Sequence, residues 1–395
     1  MRQPKFRVRE RASAQNGVLG LLAVAASWGL FWGGWAALIP EIKSDLALTD
    51  QQLGLALFAV PVAAVPSMVL TGRLAQRLAQ HTLPVVTGVF ALGVLLVGLS
   101  GTHLAFTASL LLVGAASGAI EVALNATMAA REARDGERLF NKVHAATPLA
   151  MVVAAPCVGL ARQLGASALA VLVVIAVLVG LSAVMAIDPA GWSEKSGSTA
   201  AQAAPRQFYS PLLLVGAVAA TVLLMENAVE QWGAIHLETE LAAGPLLASF
   251  GPAAYMAGLS AGRLLAQWQG AALGDRTLVI SGGALGLAGL VVGAAAWSPT
   301  TTLIGFAVAG VGLAPVVPTL MGAVGRAVAH DQRSKAISLV TTIGYAGFLS
   351  SPPLVGTLAG WLGLPAVLTI VALFGLVVMA GAAALRLLPT PARAA

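Results

Sequence analysis

Apolar residues dominate the chain in long blocks that short polar segments separate. Twelve blocks are long enough, as helices, to cross about 30 Å of hydrocarbon. The predicted spans are residues 17–40, 52–72, 82–100, 103–129, 143–163, 166–187, 211–236, 245–267, 277–297, 300–325, 336–360 and 364–388. The pattern therefore predicts an all-α membrane protein with twelve transmembrane helices.

A polar stretch rich in Ala, Ser, Gly and Pro divides these spans into two sets of six. We expect a six-helix bundle in residues 1–187, a flexible cytoplasmic linker in 188–210 and a second six-helix bundle in 211–395. The two halves resemble each other in sequence: Trp35 and Trp232 are 197 residues apart at matching places in their spans. Two similar halves in the same orientation predict a parallel repeat about an axis along the membrane normal.

Composition excludes a soluble protein, because 58% of residues are hydrophobic and only 10% are charged. The net charge of +6 comes from basic residues in short loops, so it indicates the membrane surface and not nucleic acid. With both termini in the cytoplasm, all of the 22 Lys and Arg except Lys43 and Arg162 fall on the cytoplasmic side. This asymmetry supports twelve spans with both termini inside.

One carboxylate lies near the middle of the fourth span. Glu121 and Asn125 are four residues apart and share one helix face. A charge in an apolar span is costly, so Glu121 is a candidate for proton coupling or solute binding. The alternative is a structural hydrogen bond to a neighbouring helix. His144, one turn into the next span, is a candidate to relay protons to Glu121. The alternative interpretation is a histidine at the helix end that faces the lipid headgroups.

The seventh span holds two further acids. Glu226 and Glu230 are one turn apart, and like charges at that distance favour one shared proton. Both are candidates for proton coupling, and Glu226 is also a candidate for substrate binding. The alternative for Glu230 is a place in the outer vestibule.

Three tryptophans form an aromatic stripe on the first span. Trp28, Trp32 and Trp35 follow the spacing i, i+4, i+7, and their flat faces suit a sugar or an aromatic ring. The alternative is core packing for Trp28 and Trp32, with Trp35 in the interfacial belt. Further polar candidates for substrate binding are Asn125, Asn227, Gln231 and Tyr345.

The loop after the second span resembles a known signature. Residues 72–79 (GRLAQRLA) are similar to the helix 2–3 loop motif of the major facilitator superfamily, with Gln76 in place of the usual Asp and Ala79 in place of the second Gly. The resemblance implies the major facilitator fold, two six-helix bundles that work as a monomer.

A finer resemblance lies in the fourth span and the loop that follows it. Residues 121–125 (EVALN), 138–141 (RLFN) and His144 resemble the fucose-permease-like branch of sugar:proton symporters and its uncharacterised bacterial relatives. In that branch the helix 4 acid is implicated in sugar binding or proton coupling, which implies that role for Glu121. The sugar symporter of the branch also has an acid in helix 1, and this chain has none there.

These observations predict a secondary transporter in a bacterial inner membrane. We expect alternating access that moves a small polar organic solute, sugar-like, in symport with protons. The alternative is proton-driven efflux of amphipathic or cationic compounds. The proton gradient would supply the energy without a cofactor or metal, and the partners would be the solute and the bilayer. An enzyme is not expected, because five His and the single Cys157 form no nucleophile–base or metal-ligand pattern.

Overall fold

Long helices account for nearly all of the described chain. The computed structural model describes residues 4–135, 139–187, 209–269, 273–295, 297–328 and 332–388. The helices are α1 (Pro4–Asp45), α2 (Asp50–Leu78), α3 (Thr82–Gly98), α4 (His103–Asp135), α5 (Phe140–Gln163), α6 (Ala168–Met185), α7 (Tyr209–Leu241), α8 (Pro245–Gln269), α9 (Asp275–Ala294), α10 (Pro299–Leu313), α11 (Val316–Ala327), α12 (Arg333–Leu362) and α13 (Leu364–Gly381). Short 3-10 turns lie at Ala79–His81 and Ala384–Leu387. The predicted linker lies outside the described residues, apart from its last two positions.

Ten stretches of the described helices are long and apolar enough to cross a membrane, and α10 and α11 together form one of them. The two helices outside this group are α8 and α12. They have 25 and 30 residues, or about 38 and 45 Å of helix, but Gly, Ser and Pro lower their hydropathy. The total of twelve spans and the cytoplasmic termini stay predictions.

The helix surfaces carry large apolar side chains that water would not favour. Leu149, Val174 and Leu373 are 70%, 59% and 48% exposed. Soluble proteins rarely expose apolar area on this scale, whereas a bilayer solvates it. The structure is therefore that of a multi-pass membrane protein.

Prolines act differently in two of the helices. The predicted span 300–325 is divided, because α10 ends at Leu313 and α11 begins after Pro315. Proline has no backbone N–H and its ring clashes with the preceding turn, which explains the break. In α12, by contrast, the helix continues through Pro352 and Pro353.

By internal contacts the chain divides into two compact units. Unit 1 comprises Met1–Leu48 and Leu55–Gly197, and unit 2 comprises Thr49–Gly54 and Ser198–Ala395. Within unit 1, α1 packs on α5 and α6, and α3 packs on α4 and α6. Within unit 2, α7 packs on α12 and α13, and α9 packs on α10 and α13. The second set of pairings repeats the first, and the matching residues Trp35 and Trp232 are both buried. This agreement supports the repeat predicted from sequence.

Glycines bring helix backbones into contact. A Cβ added to Gly114 on α4 would lie 2.1 Å from the carbonyl oxygen of Val60 on α2, and one added to Gly118 would lie 2.5 Å from that of Ala64. Small residues at such crossings let helices pack closely in lipid. The two glycines thus fix α4 against α2 just ahead of Glu121.

We expect Gly114→Ala to destabilise the protein. The added methyl group meets backbone that cannot rotate away, and overpacking of this kind costs about 1–3 kcal/mol. Gly180→Ala is the matched control, since a Cβ there has open space within 4 Å. Thermal unfolding in detergent should show a lower midpoint for Gly114→Ala only. Equal midpoints for the two variants would contradict the close contact between α4 and α2.

An ion pair joins three helices at one end of unit 1. Arg162 Nε lies 2.7 Å from Glu41 Oε2, and the two side chains are only 6% and 21% exposed. The guanidinium also donates to the carbonyl oxygen of Ala37 at 2.6 Å, and Glu41 Oε1 accepts from the backbone N–H of Ala168 at 2.6 Å. Glu41 therefore links α1 to α5 and to the first turn of α6.

Arg162→Gln should lower the free energy of unfolding by about 3 kcal/mol, because it leaves a shielded carboxylate without its cation. Arg326→Gln is the comparison, since its partner Asp275 and Arg326 itself are 42% and 60% exposed. An exposed pair contributes about 1 kcal/mol or less. Chemical or thermal unfolding of both variants measures the contrast, and a loss as large for Arg326→Gln would refute it.

Candidate functional site

A polar stripe runs along α4 in the interior of its apolar span. Ser117, Glu121 and Asn125 follow one another at four-residue intervals and therefore share a helix face. Ser117 is buried, and the other two are half-buried. Asn125 Nδ2 donates a hydrogen bond to Glu121 Oε1 at 3.0 Å. The amide thereby orients the carboxylate within the helix.

His144 on α5 extends this arrangement to a second helix. Its Nε2 lies 2.9 Å from Asn125 Oδ1. Because an amide oxygen only accepts, the imidazole Nε2 must donate in this contact. The result is a chain from imidazole N–H through the Asn125 amide to the Glu121 carboxylate. The Asn125 amide thus links the Glu121 carboxylate and the His144 imidazole through hydrogen bonds. Because an amide does not take up or release a proton, a proton moving between the two groups would have to bypass Asn125.

Trp28 joins the same group from α1. Its Nε1 donates to Ser117 Oγ at 3.0 Å, and the ring is half-buried. The structure therefore brings Trp28, Ser117, Glu121, Asn125 and His144 together on three helices of unit 1. An indole face, a carboxylate and an amide side by side can stack on a ring and accept hydrogen bonds from hydroxyl groups.

The other two tryptophans of the predicted stripe lie elsewhere. Trp32 is half-buried with its edge against Phe31, at a centroid distance of 5.0 Å. Trp35 is only 2% exposed and stacks on Phe31 and Phe106 at 5.6 and 6.2 Å. Trp35 is therefore part of a buried aromatic cluster, and not in the interfacial belt where the alternative prediction placed it.

A second polar group lies on α7 in unit 2. Glu226, Glu230 and Gln231 are half-buried, and Asn227 is 1% exposed. Among the described residues, the Oδ1 of Asn227 and the Oε1 of Gln231 are buried without a hydrogen-bond partner. The structure therefore clusters these four predicted residues. Tyr345, the fifth candidate in this unit, is 56% exposed on α12 with its ring edge toward Phe348.

Sequence reasoning missed two members of these groups. Ser117 continues the four-residue spacing of Glu121 and Asn125, so that spacing was the signal for it. Tyr255 on α8 is one of only 3 Tyr in the chain and lies inside an apolar span. Its hydroxyl is fully buried, has no hydrogen-bond partner among the described residues, and lies within electrostatic range of Glu226 and Glu230.

Neither group has the composition of a metal centre. Over the described part of the chain, no three His, Cys, Asp or Glu side chains converge as metal ligands would. The expectation of a protein without a cofactor stays a prediction. In the motif after α4, Arg138 and the side chains of Phe140 and Asn141 lie outside what the structure describes.

Comparison with known families and proteins gives consistent matches. The family model described as Major Facilitator Superfamily matches residues 219–395. An uncharacterised MFS-type transporter of Yersinia pestis is 28% identical over 360 residues, covering 90% of this chain and 92% of the relative. The membrane protein MosC of Rhizobium meliloti is 25% identical over 357 residues, covering 89% of this chain and 85% of MosC. These matches support the major facilitator superfamily.

Solved structures agree in fold. A bacterial homolog of the human lysosomal transporter Spinster, inward-facing and occupied, matches with a TM-score of 0.77 at 12% identity, covering 94% of this chain and 96% of that one. The nucleoside transporter NupG matches with a TM-score of 0.74 at 14% identity, covering 93% and 98%. The chain thus shares the fold of these two proteins. The finer resemblance to the fucose-permease-like branch stays a prediction.

Trp35→Ala should destabilise the protein by about 3–5 kcal/mol, because it empties a large buried volume. Trp28→Ala should cost clearly less, since its ring is half-buried and loses only the bond to Ser117. Unfolding midpoints in detergent give the comparison. If Trp35→Ala kept full stability and lost only ligand binding, the packing assignment of Trp35 would be wrong.

Proposed function

We propose that the chain is a secondary active transporter of the bacterial inner membrane. It moves a small polar organic solute by alternating access, in symport with protons. The relatives that match nearly its whole length include named transporters, and a structural neighbour moves nucleosides, which carry a sugar ring. These likenesses favour transport over catalysis.

The observation that supports proton coupling is the chain Glu121–Asn125–His144. A carboxylate in the interior of α4 is costly as a bare charge in a membrane. A bound proton would remove that cost while Glu121 passes through the closed intermediate of the transport cycle. Its amide and imidazole neighbours hold the carboxylate in one orientation for that step.

The neighbours of Glu121 supply the means to hold a solute. Trp28 offers an aromatic face beside the carboxylate, and Asn125 and Glu121 accept hydrogen bonds. A solute oxygen that accepts a hydrogen bond from the protonated carboxyl group of Glu121 would favour the protonated form, and the bound proton would in turn favour the solute. In this scheme the solute and the proton affect one group, which is the basis of coupling.

Efflux of cationic compounds in exchange for protons is the second candidate function. The observation in its favour is the pair Glu226 and Glu230 on α7, which lie within electrostatic range of each other. Two neighbouring carboxylates attract a cation, and protons compete with a cation for them. The direction of proton movement separates the two functions.

Glu121→Gln should abolish coupled proton movement while leaving the fold intact. The amide is close to the carboxyl group in shape and still accepts from Asn125, but it cannot take up a proton. The measurement uses purified protein in liposomes with an internal pH indicator, against a panel of sugars, nucleosides and cationic dyes. Wild type is expected to acidify the interior when a small polar solute enters, and not when a dye does.

Glu240→Gln is the matched control, because it makes the same change on an exposed residue at the end of α7. It should transport as the wild type does. Unchanged proton coupling in Glu121→Gln would refute the role of Glu121. Proton movement driven only by the dyes, and in the opposite direction, would establish the efflux function instead.

A further inference from the structure

We propose that the polar cluster between α7 and α8 of unit 2 binds the protonated amino group of a primary amine. The cluster consists of Glu226, Asn227, Glu230, Gln231 and Tyr255. The inference rests on the proposed transport function in one respect: it names the class of the solute, a small polar organic amine. The binding site itself can be tested without transport.

The cluster lies between two zones of close contact along α7. Along its first half α7 contacts α12, since Gly347 meets the backbone of Ala220 and Ser351 Oγ donates to the carbonyl oxygen of Leu224 at 3.1 Å. Along its last turns α7 contacts α8, where Gly251 meets Gly233. Residues 226–231 fall between these two contact zones, so the helix face there is not closed by a glycine contact.

The cluster is rich in acceptor oxygens that have no donor. Asn227 Oδ1, Gln231 Oε1 and Tyr255 Oη are buried without a hydrogen-bond partner among the described residues. Asn227 and Tyr255 are 1% and 0% exposed, so the protein encloses both side chains almost completely. A buried polar atom left without a partner costs about 1–3 kcal/mol. Three such atoms, on adjacent turns of α7 and on α8, indicate a ligand that brings hydrogen-bond donors.

The charges of the cluster indicate one positive charge on that ligand. Glu226 and Glu230 interact with each other, and Arg263 on α8 is the cation within electrostatic range of Glu226. Arg263 is exposed, two turns along α8 from Tyr255. Two carboxylates and one guanidinium leave a single negative charge. One monovalent cation, or one proton, neutralises it.

An ammonium group fits these features better than a neutral solute or a metal ion. It has three N–H donors and one charge, which match several separate acceptors and the excess carboxylate. A neutral polyol supplies donors but leaves the negative charge in place. A metal ion needs converging charged ligands, and no group of three such side chains occurs in the described residues.

The test measures binding by the purified full-length protein in detergent. Each primary amine is paired with its hydroxyl analogue: glucosamine with glucose, and 2-aminoethanol with ethylene glycol. The readout is the dissociation constant from ligand-induced thermal stabilisation, with sodium, potassium and choline chlorides as ion controls. Wild type should prefer at least one amine over its analogue by roughly tenfold, the factor expected of a charge-assisted hydrogen bond.

Glu230→Gln should reduce this preference to about one, while Glu240→Gln, the same change at an exposed position of α7, should keep it. Tyr255→Phe is the control for loss of binding through misfolding, because it removes only the unpartnered hydroxyl and keeps the packed ring. It should bind amines more weakly at unchanged or higher stability. A reduced amine preference in a variant of wild-type stability cannot come from unfolding.

Three results would overturn the inference. Equal binding of each amine and its analogue would show that no ammonium site exists, and stabilisation by sodium alone would assign the cluster to a metal ion. Liposome transport of a neutral solute with protons, without any amine preference, would leave the proposed function standing and the inference wrong. Amine binding by a protein that moves no solute would support the inference and contradict the proposed function.

Discussion

Contact between helix backbones at glycine is the constraint on which this structure depends. In a bilayer, lipid tails are as apolar as leucine, so the hydrophobic effect does not hold helices together. Packing contact must do so, and it is strongest where no side chain intervenes. Gly114 and Gly118 bring α4 against α2, and Gly29 and Gly33 do the same for α1 and α5. These contacts fix the positions of α1, α4 and α5, the helices that carry the polar group of unit 1.

The two units use buried polarity in different ways. In unit 1 each polar group of the α4 stripe meets another: Trp28 with Ser117, Asn125 with Glu121, and His144 with Asn125. In unit 2 the cost of burying polar atoms is not offset by hydrogen bonds, since acceptors on α7 and α8 have no donor among the described residues. A satisfied network holds one geometry, whereas an unsatisfied one favours a ligand that completes it.

Sequence predicted the helical content well, because apolar blocks of span length have few other structures open to them. It also predicted that Glu121 and Asn125 share a face, since a four-residue interval fixes that locally. It could not separate Trp35 from Trp28. Both have the same helical spacing, and only Phe31 and Phe106 from the tertiary structure decide that Trp35 is core.

Proline shows the same boundary between local and tertiary information. Pro315 ends a helix and Pro352 does not, although each has the same ring and lacks the same donor. Tyr255 escaped notice because an isolated tyrosine in an apolar span has no pattern, and its relation to Glu226 and Glu230 arises only when α8 folds against α7. Such relations need the neighbouring helix to be in place.

The matching burial of Trp35 and Trp232 has one more consequence. Each indole is buried at the equivalent position of its own unit, and each Nε1 lacks a hydrogen-bond partner among the described residues. The polypeptide thus contains two equivalent buried indoles, one in each unit. Substituting each tryptophan alone and then both together completes a double-mutant cycle. The departure of the free energies of unfolding from additivity measures how far the two halves fold as one cooperative unit.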